Sequence, residues 1–406
     1  MIDFVETLSV KDQIKLLKRC IAQEMDLGQE LAKRGLEYDS LRYRHNNTGL
    51  NLFSDYELRA PYKTPEDYNL SYHGVPTVSF FSGAGGLDFG FKHAGFEHLA
   101  SIEANEVFCE TLRKNNPSWT IIGPPNHNGD ARNREELKAL LLVKIGVKSS
   151  FEGVFHGGPP CQPFSIAANQ RFSKDGDNFK RIGYSHKEYG NLLLDFVWYI
   201  KEFMPRAFLI ENVEGLQTID SGSQLSEAIT MLRSYGYNVT MPTVLNSAEY
   251  GVPQNRLRVF VVGVRSSYRY QFPQRDDEMV PCGRAFEKHL NSVTNHVTRQ
   301  HKAESIIRYM ELRYGERDDL GRVDRLNPKL PSKTVIAGGT KGGGRSHLHP
   351  QIPRTLSVRE SARLQTFPDS YIFHGSPARQ FTQVGNAVPP LLAMKLARSI
   401  YENIYD

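Results

Sequence analysis

Short apolar runs alternate with stretches of helical spacing through the middle of the chain. The apolar runs are four or five residues long and lie at residues 77–81, 99–103, 153–156, 207–210 and 259–262. Runs of this length between glycine or polar residues are typical of buried strands. Helical periodicity occupies segments between them, including residues 87–94, 192–203 and 225–235. This alternation predicts an α/β fold with a Rossmann-like, mostly parallel sheet.

Different patterns flank this central region. Ser9 followed by Asp12 predicts a helix start, after which apolar residues keep rough helical spacing at Ile14, Leu17, Ile21, Met25 and Leu31. Residues 41–73 are polar and predict an irregular connection. Periodicity is lost again over residues 265–354, which predicts a smaller, loop-rich domain, and helical patterns return at 357–364 and 389–401. The chain therefore divides at about residues 73, 264 and 354.

Composition excludes several classes of protein. The 406 residues contain no apolar run long enough for a membrane span, and the N-terminus lacks the features of a secretory signal. The four cysteines are far apart, so we expect neither a disulfide framework nor a metal site. Residues 299–345 hold 11 Lys and Arg against 6 Asp and Glu, an excess equal to the net charge of +5 of the whole chain. This local excess is compatible with nucleic-acid binding.

A glycine turn follows the first apolar run of the central region. Residues 82–86 read Ser-Gly-Ala-Gly-Gly, and Glu103 ends the next run. Such a turn permits close approach of a nucleotide, and an acidic residue at a neighbouring strand end can accept ribose hydroxyls. The spacing differs from the G-x-G-x-x-G pattern, which disfavours a nicotinamide cofactor. Asp130 is a further candidate acceptor, although an Asp after Gly is often only a turn residue.

The most informative segment is residues 157–165, Gly-Gly-Pro-Pro-Cys-Gln-Pro-Phe-Ser. Its prolines restrict the backbone and fix the direction of the Cys161 thiol, as a nucleophile requires. The segment resembles the catalytic motif of the cytosine-C5 DNA methyltransferase family, of the bacterial restriction-modification type. Five further blocks, in order, are similar to motifs of that family: residues 81–86, 211–213, 254–258, 359–365 and 383–389.

The resemblance implies a set of catalytic residues. Cys161 would add to C6 of cytosine and push electron density onto C5, which is otherwise a poor nucleophile. Glu211, which follows the apolar run 207–210, would protonate or hydrogen-bond N3, and a dry pocket would raise its pKa for that purpose. Arg258 would contact the cytosine O2, and Arg256 is the first arginine of the same pair.

The resemblance also implies binding residues for S-adenosyl-L-methionine and DNA. The expected cofactor-binding residues are Phe81, Ser82, Gly83, Gly85, Gly86, Glu103, Asp130, Pro160, Leu192 and Asn386. Ala104 departs from the family pattern, in which a bulky residue often packs on the adenine. The target base would have to be flipped out of the duplex. Candidate DNA-binding residues are Gln162, Ser165, Lys341 and Arg345.

These expectations give each segment a role. Residues 1–73 are a helical N-terminal extension, 74–264 a catalytic, S-adenosylmethionine-binding domain, 265–354 a target-recognition domain, and 355–406 a segment returning to the catalytic domain. Expected partners are double-stranded DNA and a cognate restriction endonuclease, with no membrane partner. We expect a monomer in the bacterial cytoplasm that acts at the nucleoid.

Three other functions share part of the pattern. A transfer-RNA cytosine-C5 methyltransferase would have the same catalytic loop, although the long basic region 265–354 favours duplex DNA. A non-catalytic DNA-binding protein would not need Cys161, Glu211 and Arg258 together. A cysteine hydrolase would need a base such as His156 or His186, and would leave the glycine turn and the paired arginines unexplained.

Overall fold

The computed structural model describes residues 8–45, 61–143, 145–160, 192–217, 222–265, 268–287, 293–337 and 347–406. Its strands are β1 Pro76–Phe80, β2 Glu97–Ile102, β3 Ile121–Ile122, β4 Val154–Gly157, β5 Ala207–Val213, β6 Tyr237–Val239, β7 Thr243–Asn246, β8 Leu257–Arg265, β9 Asp324–Arg325 and β10 His347–Leu348. Its α-helices are α1 Val10–Ala22, α2 Leu27–Ala32, α3 Gly86–His93, α4 Glu106–Asn115, α5 Arg134–Val143, α6 Leu192–Phe203, α7 Ser223–Ser234, α8 Ala303–Met310, α9 Val358–Leu364, α10 Pro377–Asn386 and α11 Pro390–Ile404. No helix within these ranges combines the length and apolar character that a membrane span requires.

The central sheet confirms the predicted α/β architecture. Its strand order is β3-β2-β1-β4-β5-β8-β6, with β7 paired to β8. The five strands from β3 to β5 are parallel. Strand β8 runs antiparallel to β5, β6 and β7. The sheet is therefore mostly parallel, with one reversed strand near its end.

Helices cover both faces of this sheet. On one face, apolar side chains of α5, α6 and α7 pack with those of the strands in one core. On the other face, α3 and the C-terminal α11 share a second core with β5 and β8. The two helices approach so closely that a Cβ added to Gly90 would lie 2.4 Å from the Cβ of Ala393. Residues 355–406 thus pack onto the sheet although they are distant from it in the sequence.

The predicted helical N-terminal segment contains two α-helices. The Ser9 hydroxyl accepts a hydrogen bond from the Asp12 amide at 3.1 Å, which confirms the predicted start of α1. The helix ends at Ala22, and α2 begins after Asp26, whose side chain caps it. The expected apolar face was partly wrong, because Ile21 is 37% exposed, whereas Leu16, Leu17 and Cys20 are buried. The buried face of α1 is thus rotated away from Ile21.

These N-terminal helices share a hydrophobic core with residues 303–348. The core combines leucines of α1 and α2 with apolar side chains of α8, Val323 and Leu348. Some of the basic residues counted in this region are paired or buried: Arg317 and Lys333 both bind Asp324, and Arg325 has no exposed surface. The local excess of positive charge therefore lies only in part on the surface.

Candidate active site

Two loops leave the central sheet at the same edge. Strands β1 and β4 are parallel neighbours, and the chain continues from β1 towards β2 on one side and from β4 towards β5 on the other. The carboxyl ends of strands at such a reversal of strand order form a crevice in which α/β proteins bind ligands. The glycine turn 82–86 follows β1, and residues 158–160 follow β4. The structure therefore brings two of the predicted motifs together.

The glycine turn is bound to Glu103. The amide of Gly83 donates to Oε2 of Glu103 at 2.7 Å, and the amide of Asn105 donates to Oε1 at 2.7 Å. Burial raises the pKa of Glu103, although these two amide hydrogen bonds oppose the shift. The carboxyl group is thus held at the end of β2, against the turn that follows β1.

The conformation of this turn requires glycine at specific positions. Gly83 and Gly85 have φ angles of +58° and +75°, where a side chain would be strained. Gly86 has no such angle, but a Cβ there would lie 2.2 Å from the carbonyl oxygen of Val388. Phe81, just before the turn, has φ +55° and its ring packs edge-on against Phe196. Ser82 donates its hydroxyl hydrogen to Ser79 at 2.8 Å.

Asp130 lies near Glu103 in the fold. The preceding residue, Gly129, packs against the backbone of Glu103, where an added Cβ would lie 2.1 Å from the carbonyl oxygen. The Asp130 carboxylate accepts hydrogen bonds from Arg132, including one from Nη2 to Oδ2 at 2.6 Å. Arg132 lowers the pKa of Asp130 and keeps it ionised. Any other hydrogen-bond donor at Asp130 would have to share the carboxylate with this exposed arginine.

The other predicted cofactor residues differ in exposure. Leu192 is the first residue of α6 and is buried. Pro160 is half-buried at the start of the cysteine loop. Asn386 ends α10 with an exposed side chain, next to Gly385, which packs against the backbone of Ala337.

Glu211 and Arg258 form an ion pair beside the loop that leads to the cysteine. Nε of Arg258 lies 3.1 Å from Oε1 of Glu211, and both side chains are largely buried. A Cβ added to Gly158 would lie 2.7 Å from Oε2 of Glu211. The side chain of Asn212 donates to the carbonyl of Pro159 at 3.2 Å. These contacts place Gly158 and Pro159 directly against Glu211 and Asn212, the first of which is paired with Arg258.

The position of Glu211 in its strand corrects one expectation. The predicted strand ended at Ile210, with Glu211 after it. In the structure β5 continues to Val213, because β8 supplies an antiparallel partner for each of these residues, including Phe260 opposite Glu211. The carboxylate is therefore fixed by strand geometry instead of a loop.

Burial raises the pKa of Glu211, while the cations of Arg258 and Arg256 act in the opposite direction. The upward shift prevails. A larger fraction of the Glu211 carboxyl group is thus protonated at neutral pH than for a glutamate in water. A group of this kind can donate a hydrogen bond or a proton to a base.

Arg256 is more deeply buried than Arg258, and its guanidinium donates hydrogen bonds to backbone carbonyl groups. Its side chain has no exposed surface. Nη1 donates to the carbonyl of Val335 at 3.3 Å, and Nη2 donates to the carbonyl of Gly385 at 2.9 Å. It thereby joins β8 to the end of α10 and to the region 265–354.

Two glutamines near Arg256 also join distant segments of the chain through hydrogen bonds. Gln254 donates to Oε1 of Gln365 at 2.9 Å and accepts from the amide of Val335 at 2.8 Å. Gln365 donates in turn to the carbonyl of Val384 at 2.8 Å. Both belong to blocks already recognised in the sequence, but single residues within those blocks gave no sign of this pairing.

The sequence patterns also did not predict a buried polar network beneath the glycine turn. Asp88 accepts a hydrogen bond from Ser101 at 2.7 Å, and Ser101 contacts Nε2 of His98 at 2.9 Å. Burial raises the pKa of Asp88 to about 6. The sequence signal would have been an acidic residue on the buried face of α3, where apolar residues are usual.

Some predicted residues lie outside the described part of the chain. These are Cys161, Gln162, Ser165, Lys341 and Arg345, and also His186. His156 is described and is fully buried, with its ring stacked on Phe91 at 4.2 Å. Burial keeps the pKa of His156 well below its usual value. Its packing is that of a neutral core residue.

Comparison with known proteins gives a consistent result. Residues 75–402 match the family of C-5 cytosine-specific DNA methylases. The chain is 33% identical over 348 residues to the Type II methyltransferase M1.HphI of Haemophilus parahaemolyticus, covering 80% of this chain and 86% of the relative. It is 26% identical over 422 residues to M.Eco47II of Escherichia coli, another Type II methyltransferase, covering 96% and 94%.

Solved structures show the same fold. A prophage-encoded protein of Escherichia coli, assigned as a DNA modification methyltransferase, has a TM-score of 0.66 at 22% identity, covering 82% of this chain and all of that one. The Dnmt2 methyltransferase of Schizosaccharomyces pombe has a TM-score of 0.56 at 16% identity, with the same coverage. With its matched motifs placed at one edge of the sheet, the chain belongs to the C-5 cytosine-specific DNA methylase family and is an enzyme that methylates carbon 5 of cytosine in DNA.

Proposed function

We propose that this enzyme methylates cytosine within a specific duplex sequence, through a covalent adduct between Cys161 and C6 of a flipped base. The observation that carries the proposal is the contact of Gly158 and Pro159 with Glu211 and Asn212. Cys161 follows Pro160 directly, so these contacts fix where the cysteine loop begins. A thiol there would enter the crevice that Glu211 and Arg258 border.

The acid and the arginine have complementary roles in this proposal. Addition of the Cys161 thiolate to C6 places negative charge on the pyrimidine ring. Glu211 donates to N3 as that charge develops, and Arg258 contacts O2 as a fixed cation. After the methyl group is on C5, loss of the C5 proton to solvent, departure of the thiolate from C6 and return of the N3 proton to Glu211 restore the aromatic ring. Arg256, which is buried on backbone carbonyls, positions Arg258 by holding β8 in place.

We propose S-adenosylmethionine as the methyl donor, since its sulfonium supplies an electrophilic methyl group when bound. The residues at the end of β1 and β2 fit the adenosine part of such a donor. Glu103 presents a fixed carboxylate for the ribose hydroxyls, beside glycines that leave the backbone open. Phe81 offers a half-buried ring for stacking, and Asp130 a carboxylate for the adenine amino group. Backbone of Leu192, Pro160 and the exposed Asn386 complete the proposed site.

The region 265–354 is the proposed target-recognition domain. Sequence choice has to be separate from the catalytic residues, because an extruded cytosine is the same at every target. Lys341 and Arg345 are candidates for contacts to base edges, and Gln162 and Ser165 for contacts to DNA beside the flipped base. Relatives such as M1.HphI are Type II methyltransferases, which supports a role in a restriction-modification system with a partner endonuclease.

Two experiments test the covalent mechanism. Cys161→Ser is expected to abolish turnover while largely preserving binding of S-adenosylmethionine and of duplex DNA, because a serine hydroxyl is a far weaker nucleophile near neutral pH. A duplex with 5-fluorocytosine at the target position is expected to trap a denaturation-resistant adduct on the wild-type enzyme and none on the serine variant. Near-normal methylation by Cys161→Ser would remove this cysteine from the mechanism.

The nature of the nucleic acid is tested by substrate choice. Methyl incorporation into duplex DNA is expected to exceed incorporation into transfer RNA, and bisulfite sequencing of DNA from expressing cells should report the target sequence. Efficient methylation of transfer RNA in place of DNA would favour the alternative substrate.

A further inference from the structure

The N-terminal segment 8–45 packs against the region proposed to recognise DNA. Leucines of α1 and α2 lie in one buried core with α8, Val323 and Leu348. This core is separate from the two cores on either side of the central sheet. The segment also lies outside the residues 75–402 that match the methylase family. Its packing therefore assigns it to the region 265–354 instead of the catalytic domain.

Polar contacts follow the same surface. The side chain of Gln13 bonds the backbone of Arg42 at 2.9 and 2.8 Å, which closes the segment on itself. The hydroxyl of Tyr38 donates to the carbonyl of His301 at 3.0 Å and accepts from its amide at 2.9 Å. The hydroxyl of Tyr43 donates to the carbonyl of His349 at 2.8 Å. The two tyrosine hydroxyls are satisfied across the interface, which fixes the register of the segment.

A buried ionic bridge joins this unit to the catalytic domain. The guanidinium of Arg354 donates to both carboxylate oxygens of Asp39, with Nη2 at 3.0 Å from Oδ2. It also donates to both oxygens of Glu360, each at 2.8 Å. Arg354 and Glu360 are each 1% exposed, whereas Asp39 is 30% exposed. One arginine thus clamps the N-terminal segment to the helix that follows the region 265–354.

Glu360 connects this bridge to the proposed active site. It lies in α9, where its carboxylate accepts from the amide of Ser357 at 2.7 Å in a capping box. The same helix ends next to Gln365, which contacts Gln254, two residues before Arg256. A path of contacts therefore runs from Asp39 through α9 to the segment that precedes β8. This path consists of direct contacts among described residues.

We propose that residues 8–45 are an integral part of the recognition unit, and that Asp39 is a positioning residue that sets this unit against the catalytic domain through Arg354. The inference rests on the proposed role of residues 265–354 in target recognition. Asp39 need not touch DNA in this proposal. The Asp39 carboxylate binds one side of the Arg354 guanidinium, and Glu360 binds the other. Without Asp39, the Arg354–Glu360 pair can change its orientation relative to the N-terminal segment.

The test uses Asp39→Asn in the full chain. Removing Arg354 would leave Glu360 buried without a counter-charge and endanger folding, whereas Asn at position 39 keeps the shape and leaves a neutral Arg354–Glu360 pair. We expect KM for the target duplex to rise about tenfold, with kcat and KM for S-adenosylmethionine within about twofold of wild type. This split distinguishes positioning from a general structural fault, which would reduce the active fraction and lower kcat.

Glu311→Gln is the matched control. It removes the ion pair of Arg44 with Glu311 at 3.0 Å, which crosses the same interface but is about half exposed on both sides. Exposed pairs contribute little, so its kinetic constants should equal those of the wild type. If Asp39→Asn does not fold, Tyr38→Phe tests whether residues 8–45 belong to the recognition unit, because it removes the hydroxyl that joins the segment to His301 without removing a charge.

The outcomes separate the two levels of the proposal. A wild-type duplex KM in Asp39→Asn, or equal effects in Asp39→Asn and Glu311→Gln, would overturn the positioning role while leaving the proposed function intact. A fall in kcat with KM unchanged would also overturn it. Absence of sequence-specific DNA methylation by the wild-type chain would overturn the proposed function and this inference together.

Discussion

Two opposing effects act on the pKa of the Glu211 carboxyl group. Burial raises its pKa, and the ion pair with Arg258 lowers it, with the upward shift prevailing. An acid balanced in this way can serve as a donor near neutral pH and still be held in one orientation. The same arginine that orients the carboxylate would meet the oxygen of the substrate ring. The pair is therefore better suited to charge that appears during reaction than to binding alone.

Glu211→Gln tests this division. We expect the single-turnover rate to fall about 100-fold or more, because glutamine cannot supply a proton to the charge that develops on the base. DNA affinity should change little, since that charge is absent before the adduct forms. Single-turnover methylation and equilibrium DNA binding measured on one preparation would check both parts. Equal losses in rate and affinity would indicate a binding or structural role.

Asp88 gives a prediction about pH and stability. Its pKa is raised by burial from 3.8 to about 6, so the folded protein takes up a proton here that the unfolded chain releases. The contribution of Asp88 to the free energy of unfolding is fully present below about pH 4. It is lost as the pH rises towards 6, and its full size is about 3 kcal/mol. Asp88→Asn should remove this component. Unfolding free energies of both proteins at pH 4.5 and pH 7 would show it as a flatter profile in the variant.

The comparison between wild type and Asp88→Asn removes the contribution of distant groups. Distant acids, such as Asp39, have lowered pKa values and change stability in the opposite sense at lower pH. They act equally in both proteins and cancel in the difference. An identical pH profile for the two proteins would mean that Asp88 does not titrate in this range.

Gly158 and Gly90 both lie in close contact with a neighbouring element, but the contacts differ in kind. Gly158 follows β4 and meets only the far end of the Glu211 side chain, whereas Gly90 in α3 meets the backbone of α11, with an added Cβ 2.6 Å from the amide nitrogen of Met394. A flexible side chain can move aside at little cost, but a packed helix cannot. The two glycines should therefore fail in different ways when alanine replaces them.

Gly158→Ala is expected to reduce activity and leave stability nearly unchanged. The new methyl group displaces the Glu211 carboxylate from its position beside Arg258, and we expect the single-turnover rate to fall about tenfold or more. Gly90→Ala, the contrasting variant, should lower the free energy of unfolding by about 1–3 kcal/mol through overpacking and leave the folded enzyme active. Thermal unfolding and methylation rates of both variants would check this. Wild-type activity in Gly158→Ala would contradict the placement of Glu211.

The elements also show what sequence patterns could and could not provide. Apolar runs and glycine spacing were sufficient for β1, β2, β4 and α3, because their apolar residues lie in the cores on the two sides of the sheet and have local signals. The extension of β5 through Glu211 was not predictable, since it depends on pairing with β8, far along the chain. The break between α1 and α2 was missed because apolar spacing continues across it.

The candidate site follows the same logic. Motif matching brought Glu211, Arg258 and the glycine turn forward as candidates, and the structure places them at one edge of the sheet. Motif matching could not indicate that Arg256 is bound to two backbone carbonyls, or that Arg354 joins Asp39 to Glu360. The contacts of Arg256 with Gly385 and of Arg354 with Asp39 join residues more than a hundred positions apart, and no local periodicity reports them.

The whole molecule divides differently in space and in sequence. Residues 8–45 and 303–348 share one core although more than 250 residues separate them. Residues 355–406 return to the central sheet through α11. The proposed recognition unit is thus made of two separate stretches of chain, with the catalytic domain between them. An exchange of one stretch alone would expose the apolar face of the other.

A chimera experiment tests recognition and this division together. M.Eco47II is a suitable donor because it aligns along 96% of this chain, including the N-terminal segment. We expect exchange of residues 265–354 alone to give an unstable enzyme, since the leucines of α1 and α2 would meet a foreign surface. Exchange of residues 1–45 together with 265–354 should restore folding and transfer the donor's target sequence, because we propose that this unit reads the flanking bases, at about 1–3 kcal/mol for each good bidentate contact.

Thermal unfolding and bisulfite sequencing of DNA methylated by each chimera would distinguish the outcomes. A stable single exchange with full activity would contradict the shared core as a functional unit. An active double exchange that kept the original target sequence would mean that recognition lies within residues 46–264 or 355–406, where the proposed catalytic residues Cys161, Glu211 and Arg258 also lie. In that case Gln162 and Ser165 would be the next residues to substitute, because they are the proposed contacts to DNA beside the flipped base.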